Sequence, residues 1–251
     1  MTVRSEFDRD LLLNEPGRTA RLIGEFYEQY HDEPVSYGTC RRQHEEIKAA
    51  FYRDCLVANN HNADSMGLDV GCRGGLLIKL VGLISWYGID ISASALQAAR
   101  DLGIPCAEMD FTAQIGIKDD KFDAVMMTEV LEHLPYPSIT VREVYRILKK
   151  NPASVFCGSV PLDYHLHRRW KVLRGKRLSG EQTHVHHFSF NELDHLLRHY
   201  FAKVDYLPLS GTAKRHPRLR LPYNHFVRDI AWAASSPHLR VEEWETRRHQ
   251  H

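Results

Sequence analysis

Residues 67–75, Gly67-Leu68-Asp69-Val70-Gly71-Cys72-Arg73-Gly74-Gly75, constrain this chain more than any other stretch. An apolar run carrying one acid breaks into a glycine-rich turn and continues as the helix-like Leu76-Leu77-Ile78-Lys79-Leu80-Val81. A strand, a tight turn and a helix in that order call for glycine. The turn asks for backbone angles that a side chain opposes, and a bulky ligand must approach the main chain closely. A second short apolar run, Trp86-Tyr87-Gly88-Ile89, ends on Asp90, 21 residues after Asp69. An acid at about that distance, at the tip of the second strand, is placed to accept hydrogen bonds from the two hydroxyls of a ribose. The pair predicts a site for a nucleoside-containing cofactor.

Around this stretch, residues 67–160 alternate short apolar runs with amphipathic helical ones, the pattern of a parallel sheet with crossover helices. The expected strands are 67–70, 85–89, 104–108, 122–127 and 153–159. Expected helices lie at 75–82, 92–102 and 137–149, the second opened by Ser92 or Ser94 as N-cap. Ligands of open α/β sheets sit beyond the carboxyl ends of the strands. A chain of 251 residues suits one such domain with extensions. Its 43% hydrophobic and 26% charged residues and net charge of +1 give no global bias toward nucleic acid or membrane. Five scattered cysteines without Cys-x-x-Cys spacing read as reduced thiols. The most apolar stretch, 76–91, is interrupted by Lys79, Gly82 and Gly88 and is too short to span a bilayer, and the N-terminus is charged from Arg4 onward. A cytoplasmic protein with no membrane partner is expected.

These residues resemble the first motif of the class I S-adenosylmethionine (SAM) dependent methyltransferases, a strand followed by Asp/Glu-x-Gly-x-Gly-x-Gly. Asp69, Gly71 and Gly75 match, and Arg73 stands where the middle glycine would be. Either Gly74 shapes the turn, with the Arg73 side chain outward or toward the cofactor carboxylate, or cofactor binding is weakened. After the third strand comes Glu108-Met109-Asp110-Phe111. The resemblance implies that Asp110 accepts from the adenine amino group and that Phe111 packs on the ring; the alternative for Asp110 is a solvated turn residue. After the fourth strand, Thr128-Glu129-Val130-Leu131-Glu132-His133-Leu134 resembles the Glu-Val-Leu-Glu-His-Leu motif of many SAM-dependent enzymes acting on small molecules. The Asn/Asp-Pro-Pro-Tyr/Phe motif of amino-methylating nucleic-acid enzymes is not there.

The resemblance covers about residues 67–206. It implies an α/β, Rossmann-like seven-stranded mostly parallel sheet with helices on both faces and an N-terminal helical extension. The implied organisation is a helical lid at 1–65, a methyltransferase domain at 66–246 with an insertion at 161–187, and a disordered tail at 247–251. Helices are expected in the lid at 18–30 and 41–57. Its aromatic residues read as packing, with Tyr37 the one candidate to cover a cofactor. The implied SAM-binding set is Asp69, Gly71, Cys72, Gly75, Asp90, Ile91, Asp110, Phe111 and Glu129.

Glu129, Glu132 and His133 at i, i+3 and i+4 share one face if the segment is helical. Further on, Thr183-His184-Val185-His186-His187-Phe188 supplies three more imidazoles, with His184 and His186 pointing the same way if extended. Two carboxylates and two imidazoles form a mixed donor set for Mg²⁺, Mn²⁺ or Zn²⁺. By resemblance to the small-RNA 3′-terminal 2′-O-methyltransferases, that set maps to Glu129, Glu132, His133 and His186. The broad small-molecule O-methyltransferase group carries the same motif, often without metal, and is the favoured reading. Methyl transfer to a hydroxyl needs alignment and a base near neutrality. His133, His184 and His186, beside Glu129, are the candidates.

Residues 164–177 hold six Arg or Lys and no acid. They suggest an anionic acceptor, a small metabolite before RNA; the alternative is a solvated helix with Trp170 and Leu173 packed inward. A second basic cluster, Lys214, Arg215, His216, Arg218 and Arg220, carries the same ambiguity. Beyond it, a helix at 190–199, a strand at 201–206, a helix at 223–234 and an edge strand at 238–244 are expected. Besides methyl transfer, a degenerate binding module is a competing reading, motivated by Arg73.

Overall fold

The computed structural model describes residues 39–112, 114–178 and 183–239. Seven strands, β1 (Met66–Val70), β2 (Ser85–Asp90), β3 (Cys106–Glu108), β4 (Ala124–Thr128), β5 (Val155–Pro161), β6 (Phe201–Gly211) and β7 (Val227–Pro237), form one sheet in the order β3-β2-β1-β4-β5-β7-β6. The first five are parallel, and β7 runs antiparallel between β5 and β6. Six helices matter here: α1 (Thr39–Ala58), α2 (Leu76–Val81), α3 (Ala93–Asp101), α4 (Pro137–Ile147), α5 (Leu166–Leu173) and α6 (Phe190–Tyr200).

Period-two alternation sorts the strand side chains into two cores. In β4, Val125 and Met127 join Val141, Val144, Leu193 and Leu197 from α4 and α6 on one face. Ala124 and Met126 join Tyr52, Leu56, Leu77, Ile78, Leu96 and Ala99 from α1, α2 and α3 on the other. Helices therefore cover both faces, and the strands, buried on each, read as continuous apolar runs. Local signals fix the helix starts. The Ser92 hydroxyl accepts from the Ala95 N–H, and Ser189 and Glu192 form a reciprocal capping box on α6. The Arg53 Nε donates to the Val81 carbonyl, 2.9 Å, tying α1 to α2.

The expected strands and crossover helices of residues 67–160 are present with ends shifted by a residue or two, and 41–57 lies within α1. The C-terminal part departs from expectation. Residues 223–234 were expected as helix, yet only Tyr223–Phe226 make a helical turn and β7 follows at once. The antiparallel strand is thus Val227–Pro237, inside the sheet, and not an edge strand at 238–244, most of which lies outside the described residues. Alanines and a tryptophan favoured the helical reading. In the structure they fill a strand buried on both faces, where small residues are demanded by packing. The expected helix at 18–30, Tyr37 and the 247–251 tail also lie outside the described residues.

Candidate functional site

The sheet order reverses between β1 and β4, so the crevice beyond their carboxyl ends is where a ligand of this fold sits. The turn after β1 reaches it through three left-handed residues, Gly71 (φ 78°), Arg73 (φ 46°) and Gly75 (φ 73°). Arg73 itself adopts the middle conformation, and Gly74 does not shape the turn. Main-chain N–H groups of Gly71 and Cys72 both donate to the Ile89 carbonyl, at 2.8 and 3.0 Å, which locks the turn onto the end of β2. A side chain at Gly75 would place its Cβ 2.3 Å from Ile104 Cδ1.

Asp90 is buried and held by both oxygens: Oδ2 accepts from the Arg73 N–H at 2.8 Å and Oδ1 from the Ser92 N–H at 2.9 Å. A carboxylate oxygen accepts more than one hydrogen bond, so hydroxyl donors can join these N–H groups. Burial pushes its pKa up while those hydrogen bonds pull it down. Ile91 follows, buried. Asp69 lies at the end of β1, and burial pushes its carboxyl up to about 8, with Asp90 and Glu45 adding and Lys48 opposing. Phe111 is buried near Gly71. Asp110 Oδ1 accepts from the Thr112 N–H and hydroxyl, at 2.8 and 2.7 Å, the geometry of an Asx turn.

After β4, Glu129 takes a left-handed backbone (φ 54°), and its N–H donates to the Ser159 carbonyl. The Ser159 hydroxyl donates to Glu129 Oε1, and Lys48 Nζ, on α1 and 3% exposed, stands 3.9 Å from the same oxygen. Lys48 also pairs with Glu45 at 2.8 Å. A single 3-10 turn, Leu131–His133, follows in place of a longer helix.

Glu132 is 1% exposed, and its Oε2 has no hydrogen-bond partner among the described residues. Burial, then the Glu129 charge, raises its pKa well above the ordinary value. The His133 Nδ1–H donates to the Thr183 carbonyl at 3.1 Å, and its Nε2 lies 3.9 Å from Glu132 Oε1. His184 meets His133 edge to face, centroids 4.9 Å apart. One ligand atom from each of Glu132, His133 and His184 lies within 4.8 Å of the others, a metal-sized grouping. An unpartnered buried carboxyl oxygen and an imidazole whose far nitrogen is oriented by a carbonyl fit a divalent cation.

The structure does not bring His186 to this grouping. Its Nε2 bonds to Glu192 Oε1 at 2.9 Å, so His184 and His186 serve different partners. The segment is pinned all the same, because the Val185 and His186 N–H groups both donate to the Glu132 carbonyl at 3.0 Å. Three residues absent from the expected set join the site's rim. Lys48 arrives from α1, while Asp163, fully buried two residues past β5, meets His187 Nδ1 and the Arg168 guanidinium. Asp163 was findable by inspecting each strand end; Lys48 and His187 carried no spacing signal.

Residues 68–156 match the methyltransferase domain family Methyltransf_11. A ubiquinone biosynthesis O-methyltransferase of Pseudomonas putida is 34% identical over 118 residues, covering 39% of this chain and 51% of that protein. The chain thus spans about half the length of the curated relatives it matches. Among solved structures, a SAM-dependent methyltransferase from Archaeoglobus fulgidus superposes with a TM-score of 0.54 at 16% identity, over 84% of this chain and 98% of that one. The [4+2]-cyclase SpnF superposes with a TM-score of 0.57 at 18% identity, over 88% and 98%. At such identities the likeness is one of fold, and the fold hosts more than one reaction.

Proposed function

We propose that this chain, which belongs to the class I SAM-dependent methyltransferase family, transfers the SAM methyl group to a hydroxyl, or carboxylate, of a small anionic acceptor. The observation that supports the reading is Asp90, a buried carboxylate at the end of β2 whose Oδ2 and Oδ1 accept from the Arg73 and Ser92 N–H groups and which would receive the ribose hydroxyls. SAM supplies an electrophilic methyl on a sulfonium, so the protein's share is placement and proton removal. Asp69, Gly71, Cys72, Gly75, Asp90, Ile91, Asp110, Phe111 and Glu129 would hold it, the left-handed turn letting it lie against the main chain. His133, whose Nδ1–H donates to the Thr183 carbonyl, would serve as the proton acceptor, with His184 beside it. The curated relatives that match part of this chain are O-methyltransferases by name, which supports oxygen as the acceptor atom. Negative charge on the acceptor is supported by the basic run leaving β5. Its inward member Arg168 is taken by Asp163, so the outer members would steer an approaching anion.

A second, metal-assisted reading is favoured by the Glu132, His133 and His184 grouping, in which a cation would compensate the buried carboxylate and grip acceptor oxygens. Both readings meet in one assay. Turnover of SAM is followed over a panel of hydroxylated carboxylates, phosphates and short RNAs, with and without chelator. The Glu132→Gln/His184→Ala protein is expected to bind S-adenosylhomocysteine as the parent does and to lose turnover. Undiminished turnover would remove the grouping from the mechanism, and a chelator without effect would remove the metal.

A further inference from the structure

The helix α5 has no buried residue. Leu166, Trp170 and Leu173, at i, i+4 and i+7, share one face and are 48%, 58% and 79% exposed. Val172 and Tyr164 are also exposed, so the inward packing of Trp170 and Leu173 that the alternative reading called for does not occur. Basic residues flank the stripe: Arg169, Lys171 and Arg174, the last with its guanidinium over the Trp170 ring at 5.7 Å. Lys176 and Arg177 follow, and no acid occurs between residues 164 and 178. A contiguous exposed apolar stripe marks an interaction surface, and its chemistry selects the occupant. A symmetric contact with a second copy would set this cationic face against itself. Nucleic acid would satisfy the cations, yet Leu166 and Leu173 offer nothing to phosphate or base. An anionic bilayer satisfies both halves, taking the apolar side chains at the headgroup boundary and the cations at its phosphates.

We propose that α5 docks this domain on an anionic lipid surface through Leu166, Trp170 and Leu173, with Arg169, Lys171 and Arg174 meeting the lipid phosphates. No described helix is long and apolar enough to cross a membrane, so the contact is peripheral. This departs from the expectation of no membrane partner, which rested on spanning segments and overall charge. The face is coupled to the candidate site through Asp163, which joins Arg168 of α5 to His187.

Co-sedimentation of the full chain with vesicles of phosphatidylcholine, alone or mixed equally with phosphatidylglycerol, tests the proposal. Binding is expected only to the mixed vesicles and is expected to fall as salt is raised. The Trp170→Glu/Leu173→Glu protein should bind at least about tenfold more weakly, with unchanged circular dichroism and unchanged affinity for S-adenosylhomocysteine. Failure of the parent to bind, or full binding by the double variant, overturns the proposal. So does a stripe-dependent self-association, or binding of single-stranded RNA, without vesicle binding.

Discussion

At Arg73 the main chain adopts φ 46°, a conformation that costs a non-glycine residue about 1 kcal/mol or more. Its N–H nonetheless reaches Asp90, so the missing middle glycine is replaced in geometry at a cost in stability. Arg73→Gly is therefore expected to raise the unfolding free energy by about 1 kcal/mol in urea titrations; a loss of stability would mean that the Arg73 side chain is holding the turn. This also removes the main motive for reading the chain as a degenerate module. Asp69 makes a second residue-scale prediction. The folded protein holds its proton up to about pH 8, whereas the unfolded chain releases it near 3.8. The native state then binds more protons across that window, so this group makes stability fall as pH rises, by at most about 1.4 kcal/mol per pH unit. Denaturation midpoints of Asp69→Asn should depend less on pH between those values than the parent's, and an identical slope would acquit Asp69. Asp69, Gly71, Gly75 and Asp90 were legible because spacing along one strand-turn-strand unit reports their position. The partner of His133 was not: His184 rather than His186 faces it, a choice made by a pinned irregular segment without strand periodicity.

Among the elements, those of residues 67–160 were legible because apolar period and glycine punctuation agree with each other there. The capping box of α6 is of the same kind, readable as Ser189 followed three residues later by Glu192. Ser189→Ala is expected to lower stability by about 1 kcal/mol in thermal or urea unfolding; no change would mean that packing of Leu193 and Leu197 alone sets the helix start. β7 was illegible for a physical reason. Gly158 of β5 faces Trp232 so closely that a Cβ there would lie 2.2 Å from the indole. A large ring over a glycine, among alanines, is a sheet-packing solution that imitates helix composition. Around α5 the basic composition was legible and a helix stood only as the alternative reading; the helix is there, but the inward packing of Trp170 and Leu173 that went with it is not.

For the whole molecule, the crevice between β1 and β4 gathers the cofactor-side acids, while the segment at 183–188 crosses from Glu132 to Asp163 and carries the imidazoles. Under the proposed function, cofactor and proton acceptor would lie at different parts of one sheet edge. The most direct test is calorimetric titration of the full chain with S-adenosylhomocysteine, alongside Asp90→Ala. Saturable binding at one site per chain is expected, weakened by about 1 to 3 kcal/mol in the variant. Absence of binding to the folded parent, or equal affinity in the variant, would contradict it.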